Sequence, residues 1–565
     1  MSNTGFPFLS NLKDYQKREN RQSWSSWYQR MRSPLGELLD DPEVIAEAEF
    51  VSYTGNSKQE CLYKYHDGEI KLRAESRVNI YPFQEGFYEH VTAIRGAKLR
   101  LVKPAEKVIL VNIPQKDPPQ KICIMPQAPL NSRAINDSIA TYTANPESFP
   151  CVTRILQREA SLISPQGKIL LKHHDQKVDT IIDKAVNLDQ SHFTVQGPPG
   201  TGKTYVGARI ILELILQGRR VGVMALSHKA INNLLESVDE LLDFYKVTGA
   251  NCIKTRSPEN SIDGFNNIRL GDLASNVHQA HLLAGTVYSL SRLPNRVIDT
   301  LVIDEAGQIP LAWIMAAGRT AKNIVMLGDH KQLPQVSQSM HPEGSGESVL
   351  EHLMGEDSII KEHFGNFLSI TRRMNPEITA FVSHLMYNGK LKPHLTTSKA
   401  ILRLPKAKHP ALNKKGLSWI EMQHQGCSQE SPDEAREILA IINELKEQDY
   451  PLSEVLVIAP YRAQEALIRN LLPKTMKDQI GTVDRFQGRE ADIVIFSMTS
   501  SDGHNLPRDI DFLFSVNRLN VALSRARKKA IILANNRLLT IPVNNLEQLK
   551  LVNALCRLKH VCQND

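Results

Sequence analysis

Gly197, Gly202, Lys203 and Thr204 stand at the spacing G-x-x-x-x-G-K-[ST], in the run Gly197-Pro198-Pro199-Gly200-Thr201-Gly202-Lys203-Thr204. Glycines let a backbone wrap closely around phosphate oxygens, so that several N–H groups point at one anion. An apolar run precedes the loop (Phe193, Val195), and a long apolar stretch follows it (Val206, Ile210, Ile211, Leu212, Leu214). That context predicts strand, loop and helix, with the positive end of the helix aimed at the same phosphates. Lys203 is expected to reach the β- and γ-phosphates, and Thr204 to hold Mg²⁺ through its hydroxyl. The expected nucleotide contacts run from Gly197 to Thr204 and on to Tyr205. Leu301-Val302-Ile303-Asp304-Glu305 reads as a hydrophobic strand ending in two carboxylates. Asp304 is expected to share the Mg²⁺ of Thr204, and Glu305 to orient and deprotonate an attacking water.

These residues need a scaffold. A chain of 565 residues exceeds what one core supports, and about three or four units are expected. Hydrophobic residues make up 41% and charged residues 23%, the balance of a soluble globular protein. A net charge of +7 permits a polyanionic partner without demanding one. No apolar run reaches the roughly 18 residues of a membrane span, and Met1 to Leu12 lacks a signal-peptide pattern. The seven cysteines are scattered with no C-x-x-C pair, against a disulfide framework, a zinc finger or an iron–sulfur cluster. A reduced, cytoplasmic location is expected.

Residues 12 to 32 mix bases with Tyr15, Trp24, Trp27 and Tyr28. Helical spacing favours a packed helix, with a base-stacking surface as the other reading. From 45 to 113 the texture is β, with runs at Leu62–Tyr65, Glu69–Leu72, Val78–Tyr81, Lys98–Val102 and Val108–Ile113 and a hairpin signal at Asp67-Gly68. A small barrel or sandwich is expected there, and the Pro-rich stretch 115–130 reads as a connector. After 150, strands alternate with helices, which implies parallel sheets covered on both faces. Strand candidates are Phe193–Gln196, Val221–Leu226, Thr300–Ile303 and Asn323–Leu327, then Ser418–Glu421, Val455–Ala459, Asp492–Ser497 and Ala530–Leu533. Ser431-Pro432-Asp433-Glu434 predicts a helix start with a capping box closed by Glu434.

With the loop and carboxylates in place, the remaining motifs resemble those of superfamily 1 helicases. Asp304-Glu305-Ala306-Gly307-Gln308 resembles their D-E-x-x-Q box, and Gly328-Asp329-His330-Lys331-Gln332-Leu333-Pro334-Gln335 their third motif. Arg373-Met374-Asn375-Pro376-Glu377-Ile378 is similar to their Tyr-Arg-Met-His-Pro-Glu box. Val483-Asp484-Arg485-Phe486-Gln487-Gly488-Arg489-Glu490 resembles the fifth motif, and Asn520-Val521-Ala522-Leu523-Ser524-Arg525-Ala526-Arg527 the sixth. The set, over about residues 170 to 540, is similar to superfamily 1B, the branch of the nonsense-mediated-decay helicase and senataxin.

The resemblance implies ATP and Mg²⁺ between two tandem RecA-like α/β domains with parallel sheets, preceded by a small β-barrel-like domain. Arg373 and Arg525 match the arginine fingers, Gln332 the γ-phosphate sensor, Glu490 a ribose contact and Gln176 an adenine reader. Arg372 stands where the family has a base-stacking Tyr, and a guanidinium can also lie on a π-face. Ser227, Lys229, Thr286, Pro460, Tyr461 and Thr482 match contacts to a nucleic-acid backbone, where little base preference is expected. Eight Lys or Arg between 390 and 415, with no acid, read either as a track for the strand or as a solvated loop.

The implied plan is a helical segment at 1–44, the barrel-like domain at 45–115, a linker at 116–165, motor domains at 166–365 and 366–545, and a C-terminal helix at 546–565. A small helical insertion is expected at about 235–282. The expected activity is ATP-driven 5′→3′ movement on single-stranded DNA or RNA with duplex unwinding, by a monomeric motor with no membrane partner. A nucleoprotein remodeller with little unwinding would use the same motifs. The intact ATP-site residues argue against a binding module with a decayed site, and no acid–x–Lys cluster outside the motor points to a nuclease.

Overall fold

The computed structural model describes residues 9–54, 59–65, 71–72, 78–103, 106–114, 117–164, 167–172, 175–255, 264–503, 506 and 509–564. The chain divides into two units: a smaller one, Asp14–Arg133 with Ser337–Pro342, and a larger one formed by the remainder.

In the smaller unit β1 (Ile45–Tyr53), β2 (Glu60–Tyr65), β3 (Val78–Pro82), β4 (Lys98–Lys103), β5 (Val108–Asn112) and β6 (Lys121–Pro126) form an antiparallel sheet in the order β3-β6-β1-β2-β5-β4. Strand alternation turns Cys61, Tyr63, Ile109 and Val111 into one core. Strand β6 corrects the connector expected at 115–130. Ile122, Cys123, Ile124 and Met125 are all buried, and prolines stand only at the flanks of that run, where a strand tolerates them. The Asp67-Gly68 turn lies outside the described residues. Lys71 and Leu72 are not strand, and β2 pairs with β1 and β5.

The basic and aromatic segment is a helix over Tyr15–Arg32 whose cations are largely spent internally. Arg30 pairs with Asp41 and Glu43, and Arg32 with Glu89. Trp24, Trp27 and Tyr28 pack against one another with ring centroids 5.1 to 5.7 Å apart. These contacts favour the packed-helix reading. Glu19 of the same helix accepts hydrogen bonds from the Ser337 hydroxyl at 2.7 Å and the Gln338 N–H at 3.1 Å, and lies 2.7 Å from His341 Nε2.

The larger unit holds two parallel sheets. In its first lobe β7 (His192–Gln196), β8 (Val221–Met224), β9 (Cys252–Thr255), β10 (Asn266–Ile268), β11 (Leu282–Gly285), β12 (Ile298–Ile303), β13 (Ala321–Gly328) and β14 (Gly365–Phe367) run parallel, in the order β10-β9-β11-β8-β12-β13-β7-β14. Every residue of β7, β8, β9 and β11 is buried, as a sheet covered on both faces requires. The helical insertion expected at about 235–282 is corrected by β9 and β10. After the helix His228–Phe244 the chain re-enters the sheet: β9 is buried at every position and β10 has only three residues, so neither shows a period. Strand β14 straddles the boundary expected at 366 and belongs to the first sheet.

A two-residue ribbon of β15 (Ile370–Thr371) and β16 (Lys392–Pro393) leads into the second lobe. There β17 (Leu417–Met422), β18 (Val455–Ile458), β19 (Ile480–Gly481), β20 (Ala491–Ser497) and β21 (Ala526–Asn535) form a parallel sheet in the order β17-β21-β20-β18-β19. Ser431 caps the helix Pro432–Glu447 through the Glu434 N–H. Glu434 does not close the box. Its buried carboxylate meets His424, Ser497 and the Thr499 N–H, and Gln464 takes the Ser431 N–H. The chain ends on the helix Leu546–Asn564. Among the described residues no helix is long and apolar enough to cross a membrane, and none of the seven cysteines is in a disulfide.

Candidate functional site

The phosphate-type loop leaves the carboxyl end of β7 and runs into the helix Lys203–Leu216, ten of whose residues are buried. Gly200 and Gly202 have φ of +73° and +83°, a region that favours glycine. At Gly200 a Cβ would lie 2.4 Å from the Cβ of Arg373, so the loop and the segment after β15 touch only because that side chain is missing. Two bonds fix the approach. The Arg372 N–H donates to the Gly200 carbonyl at 2.8 Å, and the Thr371 hydroxyl to the Pro199 carbonyl at 2.9 Å.

Asp304 and Glu305 follow β12, two strands away from β7 and on the same carboxyl edge. Glu305 takes φ of +52°, a strained conformation for a residue with a Cβ. Lys203 Nζ lies 3.1 Å from Glu305 Oε2 and 3.7 Å from Asp304 Oδ1. Burial opposes the lysine charge, but Glu305 and Asp304 outweigh it and hold its pKa above the ordinary value. Burial pushes the Asp304 carboxyl up to about 6, against the pull of Lys203.

The second lobe presents the amino ends of β20 and β21 to this edge, because Glu490 and Arg525 immediately precede them. Arg373 Nε donates to Glu490 Oε2 at 2.5 Å and Nη1 to the Ser524 carbonyl at 3.3 Å. Burial would raise the Glu490 carboxyl, yet Arg373 and Arg527 hold it below the ordinary carboxylate range. Arg525 is buried and donates to the carbonyls of Val521 at 3.0 Å and Arg489 at 3.1 Å. Burial first, then the neighbouring Arg373, push its pKa down to about 9.

One cavity of about 400 Å³ is lined by Gly197–Thr204, Asp304, Glu305, Gln332, Arg372, Arg373, Glu490 and Arg525. The fold therefore brings together every expected nucleotide-site residue except two. Tyr205 lines an adjoining hollow of about 600 Å³ that shares Thr201, Gly202 and Arg372 with the first. Gln176 opens the helix Gln176–Val186 and is exposed. Its neighbours Asp175 and Lys177 line that hollow, and Gln176 itself does not. Thr204 and Asp304 line the same cavity, and a hydroxyl with a buried carboxylate is the hard oxygen donor set that Mg²⁺ takes, so the residues fit the ion.

The expected backbone contacts follow strand ends. Ser227 comes after β8 and caps the next helix, Thr286 follows β11, Pro460 and Tyr461 follow β18, and Thr482 follows β19. Ser227 and Lys229 are exposed. The Tyr461 ring is buried instead, stacked on Phe512 at 6.0 Å, so it supports that ring rather than standing in solvent. The basic stretch 390–415 is neither a bare track nor a loose loop throughout. Lys390, Lys392 and Lys399 are exposed, while Lys414 Nζ donates to the Cys562 carbonyl.

Tyr387 carries no motif signal, yet its hydroxyl donates to Asp329 Oδ2 at 2.6 Å. Asn520 of the sixth motif reaches the same hydroxyl at 3.3 Å and the Lys331 carbonyl at 2.8 Å. Gln332 Nε2 donates to the same Asp329 oxygen at 3.3 Å. The Gln332 side chain and the sixth motif are thus joined through one buried phenol.

Two models described as an AAA domain match residues 345–537 and 182–338. The chain is 28% identical over 492 residues to the DNA polymerase alpha-associated DNA helicase A of Saccharomyces cerevisiae, covering 72% of this chain and 70% of that one. It is 26% identical over 456 residues to the protein of that name in Schizosaccharomyces pombe, covering 68% and 67%. With the DNA-binding protein SMUBP-2 of Rattus norvegicus it shares 28% over 410 residues, 60% of this chain and 41% of that one. The two matched regions cover most of both lobes and meet the motor motifs in order, and with these relatives they show that the chain belongs to superfamily 1B of the ATP-dependent helicases.

Proposed function

We propose that the two lobes act as tandem RecA-like motor domains that couple ATP hydrolysis to 5′→3′ movement on a single strand of DNA or RNA, opening duplex ahead. The observation that carries this reading is the shared cavity: one wall is the loop with Asp304 and Glu305, and the other is Arg372, Arg373, Glu490 and Arg525. Lys203 and the loop N–H groups bind the β- and γ-phosphates. Glu305 orients the attacking water and takes its proton. Arg373 and Arg525 stabilise charge developing on the transferred phosphoryl, and Gln332 senses its presence. Thr204 and Asp304 would hold Mg²⁺, which neutralises phosphate charge when bound. Loss of the γ-phosphate removes what draws the arginines toward the loop, and the cleft relaxes. Ser227, Lys229, Thr286, Pro460 and Thr482 would grip the strand backbone in alternation. Scattered thiols outside any disulfide support a reducing compartment, where we place a cytoplasmic, monomeric motor.

The test is strand separation with ATP on duplexes bearing a 5′ or a 3′ single-stranded tail, in DNA and RNA side by side. Opening of 5′-tailed duplexes alone, with ATP turnover stimulated by the strand, is expected. Opening from 3′ tails overturns the direction. Stimulated turnover with every duplex left closed replaces unwinding by nucleoprotein remodelling.

A further inference from the structure

A hollow of about 510 Å³ lies between the lobes, lined by Leu333, Pro334 and Val336 of the first and by Phe512 and Arg518 of the second. No contact assigned above uses it. The Arg518 guanidinium sits 4.3 Å over the Phe512 ring. Asp484 fixes it there, accepting from Nη1 at 3.0 Å and Nη2 at 3.4 Å. Tyr461 stacks on Phe512 with 27° between the planes. Flat groups are thus assembled in place, and unstacked nucleobases lie against such aromatic and guanidinium planes.

The rim of the hollow is acidic. Asp484, Asp509 and Asp511 line it, and all three are exposed. Carboxylates repel phosphate, so the hollow is not a backbone site. They accept from exocyclic amino groups, as aspartate does from cytosine N4. Thymine and uracil offer one N–H between two carbonyls, whose oxygens face the same negative charge.

Both walls are tied to the third motif. Leu333 follows Gln332 in the chain, and Asn517 and Asn520, flanking Arg518, donate to the carbonyls of His330 at 3.4 Å and Lys331 at 2.8 Å. Any shift of Gln332 with the γ-phosphate reshapes this space.

We propose that the hollow receives one unstacked, amino-bearing nucleobase of the tracked strand, held beside Arg518 and Phe512 and released as Gln332 moves. The proposal deepens the strand-tracking reading and rests on it. The test is fluorescence anisotropy at one stated salt concentration with 20-mers of dC, dA, dT and an abasic sugar–phosphate chain. It compares the wild type with the double variant Asp509→Asn/Asp511→Asn and with Phe512→Leu. The wild type should bind dC and dA about tenfold tighter than dT, the factor of one well-made base contact. The double variant should bring that ratio close to one. Phe512→Leu should weaken all three base-bearing strands and leave the abasic chain unchanged. Equal wild-type affinities for the three strands, or a ratio that survives in the double variant, overturn the pocket. A wild type that binds none of the strands overturns the tracking reading itself, and the pocket with it.

Discussion

Arg373 Nε lies 2.5 Å from Glu490 Oε2, so a cation expected to serve the γ-phosphate is held by a carboxylate of its own lobe. The pair points the planar donors of the guanidinium at the cavity and limits the freedom that must be lost when ATP arrives. Arg373→Lys keeps the charge and loses the fork. We expect kcat to fall by about 10³ with ATP binding changed only a few-fold, the signature of an interaction made in the transition state. Steady-state kinetics with saturating single strand check this. A rise in KM at unchanged kcat would assign Arg373 to ground-state binding.

Lys203 stands between two carboxylates, 3.1 Å from Glu305 and 3.7 Å from Asp304. Lys203→Ala removes the cation and leaves Asp304 buried without its counter-charge. The variant should lose detectable turnover and weaken ATP binding together. Glu305→Gln keeps the shape of the side chain and removes the base. It should still bind ATP while turning over about 10² to 10⁴ times more slowly. Nucleotide binding by a fluorescent analogue beside phosphate release separates the two variants. Wild-type turnover in Glu305→Gln would remove Glu305 from the role of base.

Tyr387 joins Asp329 to Asn520, and the bond to Asp329 is 2.6 Å long in a fully buried setting. Tyr387→Phe keeps the ring and deletes that donor, which leaves a buried carboxylate short of one partner. The expected cost is about 1 to 3 kcal/mol of stability. Turnover without nucleic acid should persist, while its stimulation by a single strand falls, because the third and sixth motifs lose their link. Thermal melts and the ratio of stimulated to basal turnover measure the two effects. An unchanged ratio in a destabilised variant would reduce Tyr387 to packing.

Short motifs whose residues act within one turn of chain were readable from the amino acids. The loop, its flanking strand and helix, and the carboxylates after β12 all lie where glycine placement and apolar runs put them. Tyr387 was invisible because its partner Asp329 is 58 residues away and a tyrosine after a helix carries no pattern of its own. Strand β9 carries no signal because Cys252–Thr255 is buried on both faces and offers neither a twofold nor a 3.6-residue period, and β10 is only the three residues Asn266–Ile268. Strand β6 was hidden by the prolines that bracket it. Glu434 looked like a capping partner by spacing, but the fold gives its carboxylate a buried network with His424 and Ser497 instead. Local chemistry was legible, and pairings set by tertiary packing were not.

Lys529 opens a prediction about pH. It belongs to β21, and its buried side chain donates to the carbonyls of Lys414 at 2.6 Å and Lys415 at 3.2 Å and to the Ser418 hydroxyl at 2.6 Å. Burial pushes its pKa from 10.5 down to about 7. Between those values the unfolded chain binds a proton that the folded chain does not, so stability rises as pH rises through this window. Below about 7 both states are protonated, and the cost of burying the charge is felt in full. The slope should approach about 1.4 kcal/mol per pH unit from this group. Lys529→Met preserves most of the volume and removes the titration, so its stability should climb less steeply between pH 7 and 9.5, whatever its absolute loss from unpartnered carbonyls. Urea denaturation of both proteins across that range checks the difference. Parallel pH profiles would mean that the three oxygens around Nζ keep the lysine charged throughout.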